Sequence, residues 1–308
     1  METYLVVRAH GLKTRLLGKD DYVNIVRGKR SLSDYMDYSA IREDMELKDK
    51  VNEVYRVYVS RMNLLARVAP DYGEFLYALT DKLEIENFKI QLRNVLGRRA
   101  PPYFYPYGRK VGPAKLREVQ SEEELWELLE KTPYMKGVKK PPMNTVAEKE
   151  FFLDVLYYLY LLSSIEDKNY SKRLEPVKEA IRMEYLVKLY YWSSALGKRF
   201  WELLAQMPKP FSVTESSFSA LTKKLKVDEE KLSDLIARRR LTEAMNELTV
   251  SLIKYVGYIV RPYTVELPFL YLYNMMAYVE AVNLERVIIG LDTGLAEENI
   301  LSSLMFFK

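Results

Sequence analysis

The chain has 308 residues, with 47 lysines and arginines against 43 aspartates and glutamates, and it contains no cysteine. Disulfides, thiolate-bound zinc and thiol nucleophiles are therefore excluded, and a single histidine, His10, cannot build a histidine metal site. The net charge of +4 permits contact with anionic surfaces without demanding a nucleic acid.

Glycine and proline are scarce and fall between periodic stretches rather than inside them, which favours helices over sheets. The 25 tyrosines suit partly covered surfaces, because each buries a ring and keeps a hydroxyl for a partner. Glutamine occurs only at Gln91, Gln120 and Gln206, which together with a lysine- and glutamate-rich surface hints at a thermophilic host. Met1 to His10 does not read as a signal peptide. The greasiest stretch, Phe151 to Ile165, is broken by Asp154 and is too short to span a bilayer; Val250 to Val260 is broken by Lys254. A soluble, cytoplasmic protein is expected, with His10 on its surface.

In chain order, Asp20 to Val26 reads as a short helix with an acidic front, which the helix dipole favours. Leu47, Val51, Val54, Tyr58, Met62 and Leu65 step by three and four along one helical face that Pro70 ends. Asp71 is placed to cap the next helix, whose apolar face runs from Phe75 to Leu96. A breaker-rich loop follows, from Pro101 to Pro113. Ser121 with Glu124 predicts a capped short helix to Lys131. Long helices are predicted over 147–170 and 174–207, with Pro176 in the first turn of the second. A helix near 214–225, a short one capped by Asp228, long ones over 241–260 and 267–289, and a tail helix from Ala296 complete an all-α chain.

The order of elements recurs. Each short acidic helix leads towards two long ones, and the closing helices match: Glu84-Ile85-Glu86-Asn87-Phe88 against Glu280-Ala281-Val282-Asn283-Leu284. Met183-Glu184-Tyr185-Leu186 is a degenerate third copy, and Asn87, Tyr185 and Asn283 are evenly spaced at 98 residues. A period of that length argues for three similar helical units, over 1–113, 114–210 and 211–308.

The two intact copies carry a resemblance. Glu84 to Arg93, Tyr278 to Gly290 and the acidic closing segment Leu295 to Ile300 resemble the C subunit of the archaeal A-type ATP synthase, related to the d subunit of vacuolar-type ATPases. Tyr185 departs from the pattern, standing where asparagine is expected. The resemblance implies a funnel of three helical units with pseudo-threefold symmetry and no catalytic residue, cofactor or metal. It implies a peripheral position on the cytoplasmic face of the membrane, between the proteolipid c-ring and the D and F subunits of the central shaft, where torque passes in proton- or sodium-coupled ATP synthesis or hydrolysis.

The repeated polar residues have two readings. On a helix, Glu84 and Asn87 share a face, as do Glu280 and Asn283, and Glu86 and Arg286 extend those stripes. Glu84, Glu86, Asn87, Arg93, Glu184, Glu280, Asn283 and Arg286 either line a socket for the shaft or pair internally to hold the helices in register. The loop rings Tyr103, Phe104, Tyr105 and Tyr107, flanked by Arg98, Arg99, Arg109 and Lys110, suit a linker or a ring contact, with single-stranded nucleic acid as a lesser reading. Arg238-Arg239-Arg240 reads as a solvated helix end. Gly11 to Asp20 has the outline of a phosphate loop, but the glycine spacing is wrong and Asp20 stands where magnesium needs Ser or Thr. A helical scaffold that binds other proteins is the alternative function.

Overall fold

The computed structural model describes residues 2–68, 70–97, 103–166, 174–264 and 266–307. Among these residues there are fifteen α-helices and no strand, the all-α architecture that the periodicity predicts. The chain opens with α1 (Glu2–Thr14) and α2 (Lys19–Val26) and then runs through α3 (Leu47–Val68), α4 (Gly73–Thr80) and α5 (Lys82–Val95). Two short helices, α6 (Pro113–Glu118) and α7 (Glu122–Glu130), precede the long α8 (Val146–Glu166) and α9 (Glu175–Leu196). After α10 (Lys198–Gln206), α11 (Glu215–Leu225) and α12 (Glu229–Ala237) come α13 (Leu241–Ile259), α14 (Leu267–Asp292) and α15 (Glu297–Ser303).

The long helices form because their apolar residues recur at helical spacing. In α3 the buried set Val51, Val54, Tyr55, Tyr58, Met62 and Leu65 lies on one face. Most of α14 is apolar all round, and it is buried accordingly from Leu267 to Ala277. No helix of the described residues is long and apolar enough to cross a membrane. Caps start the short helices where the sequence places them. Ser121 Oγ accepts from the Glu124 amide at 3.2 Å, and Asp228 accepts from the amides of Glu230 and Lys231.

The packing order closes on itself. α3 packs on α4, α4 and α5 pack on α8, α8 on α9, α9 on α13, α13 on α14, and α14 returns to α3. One continuous apolar core runs through these contacts, from Leu5 in α1 to Met305 after α15.

Three boundaries differ from the sequence expectation. The helix predicted over Phe75 to Leu96 breaks at Asp81, whose side chain is fully buried and held from the side by Tyr107, Arg109 and Tyr160. That α4 begins at Gly73, with Tyr72 rather than Asp71 in the capping position, follows from the 3-10 turn Pro70–Tyr72. The helix predicted over 174–207 breaks at Gly197, where φ is +56°, a left-handed value that glycine adopts without strain. The predicted end of the preceding helix at Tyr170 lies outside the described residues, as do Arg98, Arg99, Pro101 and Pro102.

Candidate functional site

A cavity of about 430 Å³ sits where α3, α5, α8, α9, α13 and α14 meet. Its two sides differ in chemistry. The α13 side presents Leu241, Met245, Leu252 and Ile253 interleaved with Thr242, Asn246 and Thr249 and carries no charge, whereas α5 and α9 present Lys82, Glu86, Glu184 and Lys188.

The ionic side is cross-linked. Lys82 Nζ donates to Glu184 Oε1 at 2.9 Å, Tyr158 donates to the same oxygen at 3.2 Å, and Tyr271 donates to the other. Glu184 of α9 thus ties together α5, α8 and α14. Two helical turns further along α5, Lys89 Nζ donates to Glu86 at 2.8 Å and to Asp154 of α8 at 2.6 Å. Asp154 also accepts from Trp192 Nε1 of α9 at 2.8 Å. Such buried pairs add little net stability over apolar packing, but deleting one partner costs about 3–5 kcal/mol, so they fix the helices in one arrangement.

The charges follow this wiring. Burial opposes the charged form of Lys82, but the Glu184 carboxylate outweighs it and raises the lysine. Burial likewise works to raise Glu184, and Lys82 with the tyrosine hydroxyls holds it below the ordinary carboxylate range. Asp154 is lowered by Lys188 and Lys89 against the same burial. Lys188 is the exception. Burial pushes its ammonium below the usual range, and Asp154, 3.8 Å away, only partly compensates.

The residues proposed from sequence separate into two sets. Glu86, Glu184 and Arg286 line the cavity. Arg286 donates to Asn246 Oδ1 at 3.1 Å and to the Ser303 carbonyl. The other five bind the protein's own framework. Glu84 accepts from the amides of Lys110 and Val111 and from Tyr134, and burial raises its carboxyl. Asn87 bonds the backbone of Tyr105 and Tyr107. Glu280 accepts from Tyr38 and from Arg61 at 3.2 Å. Asn283 bonds the backbone of Met305, and Arg93 bonds both oxygens of Glu150.

Two of the positions matched in sequence bond alike. Glu84 and Glu280, in matching positions of α5 and α14, each accept a tyrosine hydroxyl from a 3-10 turn, Pro133–Met135 and Met36–Tyr38 respectively. At the degenerate third position, Tyr185 packs its ring against Tyr158 and Phe211.

Other sequence candidates resolve differently. Phe104 is buried, the Tyr105 backbone is bound to Asn87, and the Tyr107 hydroxyl is bound to Thr80 and Asp81, so much of the loop packs on its own chain while Tyr103, Tyr105 and Tyr107 stay half-buried. Arg109 is bound to Glu74, Asp81 and Tyr160. His10 is half-buried rather than on the surface: it stacks on Phe269 at 3.8 Å and bonds the Thr264 carbonyl at 2.7 Å. Arg238 and Arg240 are exposed and pair with Asp234 and Glu243 of their own helices. Gly11 lies inside α1, which removes the strand a phosphate loop needs.

Sequence reasoning missed Lys82, Lys188 and the tyrosines around Glu184. The available signal was charge on an apolar face: Asp154 inside Phe151 to Ile165, and Lys188 between Val187 and Leu189, one turn after Glu184.

These features define a helical protein that joins its own helices through ionic bonds around a hollow centre. The sequence matches the family described as ATP synthase (C/AC39) subunit over residues 5–190, well over half of the chain. The chain belongs to that family, which comprises the C subunit of A-type and the d subunit of V-type ATPases and is a non-catalytic part of the rotary complex. No curated protein matches the chain by sequence.

Proposed function

We propose that this chain is the central-stalk connector of a rotary ATPase. It links the membrane proteolipid ring to the D and F subunits of the shaft and carries torque between them, seated peripherally on the cytoplasmic face. Three helical units, over 1–113, 114–210 and 211–308, form a funnel about a pseudo-threefold axis. Its central cavity is the socket for the shaft. Glu86, Glu184 and Arg286 line that socket, and Glu84, Asn87, Arg93, Glu280 and Asn283 frame it.

The observation that carries this reading is the cavity itself, an open hollow lined by helices whose packing order closes on itself. A body that passes torque needs stiffness and two separate contact regions. Here the stiffness has a source in the buried bonds that converge on Glu184 and Asp154 from four helices. The matched bonds of Asn87 and Asn283 support the repeat.

Co-sedimentation of the full chain with detergent-solubilised proteolipid ring and with the isolated central shaft tests the proposal. Bridging of the two at micromolar or better affinity is expected. Binding to neither at moderate salt overturns it and leaves a helical scaffold as the working function.

A further inference from the structure

Glu86, Glu184 and Val282, each 98 residues from the next, line the cavity from α5, α9 and α14. Two residues earlier the three helices part company. Glu84 of α5 accepts from the Tyr134 hydroxyl and from the amides of Lys110 and Val111, and Glu280 of α14 accepts from Tyr38 and Arg61. Each carboxylate thereby pins a neighbouring segment to its helix. The position midway between them, 98 residues from each, is Arg182 of α9. Its side chain is 45% exposed, and its ion pair, at 3.7 Å, is with Glu179 of its own helix. At this position α9 pins nothing.

The wall that is left without such a lock is α13, which lies against α9 and α14 and brings no charged residue to the cavity. Among the described residues, hydrogen bonds and ion pairs tie α11, α12 and α13 to the other helices at two places. One is Glu179 of α9, which accepts from Lys224 at 2.6 Å and from Tyr255 at 3.3 Å. The other is Asn246 of α13, which accepts from Arg286 of α14 at 3.1 Å and donates to the Ser303 carbonyl at 3.0 Å. Ser303 is itself fixed, because Asn283 of α14 grips the backbone of Met305 two residues on. Within the wall, Lys231 bonds Glu247 at 2.8 Å and joins α12 to α13. α11 is anchored separately: the Phe218 ring sits among those of Tyr190, Phe200 and Trp201.

We propose that α12 and α13 form a side gate of the cavity, swinging as one piece about the Phe218 cluster, with the bridge from Asn246 to Arg286 and Ser303 as its latch. Opening breaks the two Asn246 bonds and the Tyr255 bond to Glu179, all between half-buried groups, and separates no buried ion pair. Parting α5, α8 and α9 instead breaks the bonds of Lys89, Asp154 and Glu184, where a buried charge loses its partner at much greater cost. The cavity is therefore stiff along α5, α8 and α9 and opens along α13. This goes beyond the connector reading and holds whatever the cavity receives.

Hydrogen exchange of the full chain, read peptide by peptide, tests the gate. Amides of α12 and α13 should exchange through a partial opening, faster than those of α3, α5 and α8. Asn246→Ala should speed exchange in α12 and α13 about tenfold and leave α3, α5 and α8 unchanged. Wild-type protection of α13 equal to that of α5, unchanged exchange in Asn246→Ala, or a change shared by every helix overturns the proposal. A second measurement needs no loss of contacts. The chain has no cysteine, so nitroxides can be placed in pairs at exposed positions. Electron–electron distance measurements on Ser60→Cys with Lys254→Cys span α3 and α13, and Ser60→Cys with Ser163→Cys spans α3 and α8 as the reference. The α13 pair should show an added longer population that grows on Asn246→Ala, while the reference pair stays narrow. One narrow distance for both pairs, insensitive to Asn246→Ala, also overturns the gate.

Discussion

Asn87 grips the backbone of Tyr105 with both ends of its amide: its Oδ1 accepts from the Tyr105 amide at 2.7 Å, and its Nδ2 donates to the Tyr105 carbonyl at 3.1 Å. Asn283 does the same to Met305, with both bonds at 2.9 Å. In each case a buried helix holds the extended segment that returns across it, which is why an amide, donor and acceptor in one group, occupies both positions. Replacing either asparagine with alanine strands a buried N–H and a buried C=O. Each substitution should cost about 3 kcal/mol, read as a lower urea midpoint with an unchanged slope. Asparagine to aspartate should cost at least as much, because the new oxygen faces a carbonyl.

Glu184 and Glu280 should respond to pH in opposite directions. Glu184 is held below its ordinary value, so its stabilising contribution is present above the unfolded carboxylate range and is lost as pH falls through the folded value. Glu280 is raised, chiefly by burial that Arg61 and Tyr38 only partly offset. Its contribution is present at low pH and is lost as pH rises through its folded value. The penalty for Glu184→Gln should therefore grow between pH 4 and 7, while that for Glu280→Gln shrinks. Urea melts at several pH values decide the matter, and parallel slopes would refute the assignment. Arg61→Met should cost about 3–5 kcal/mol, because Arg61 is the buried cation paired with both Asp37 and Glu280.

Tyr185 and Tyr271 are both buried, yet their hydroxyls differ. Tyr271 donates to Glu184, whereas the Tyr185 hydroxyl has no hydrogen-bond partner among the described residues. Tyr185→Phe should leave thermal stability unchanged or raise it. Tyr271→Phe should lower it by about 1.5–3 kcal/mol, the worth of a bond to a charged group.

Gly108 sits in the turn that brings the loop after α5 back to Glu84. A Cβ there would press on the Val111 carbonyl oxygen and lie 2.8 Å from the Gly112 Cα, and both are backbone that a side-chain adjustment cannot clear. Gly108→Ala should loosen the segment 103–112 and expose it to limited proteolysis, with cleavage at Lys110 or Arg109 appearing well below the global unfolding temperature.

The sequence by itself determined the helices. Apolar residues at steps of three and four, acidic first turns and scarce breakers leave few alternatives to α-structure, because those signals are local and each is legible within a dozen residues. The match of Glu84 and Asn87 with Glu280 and Asn283 was legible for the same reason. The tertiary structure alone decided which face each polar residue meets. Two stripes on two helices look alike in sequence, yet Glu86 faces the cavity while Asn87, the next residue, faces Tyr105, since neighbouring residues on a helix point about 100° apart. The break at Asp81 also depended on distant groups, Arg109 and Tyr160, that no local pattern announces. Lys188 gives the sharpest case. In sequence it is an ordinary lysine one turn after a glutamate, and only the packing of α5, α8 and α9 shows that every nearby carboxylate already has a closer partner.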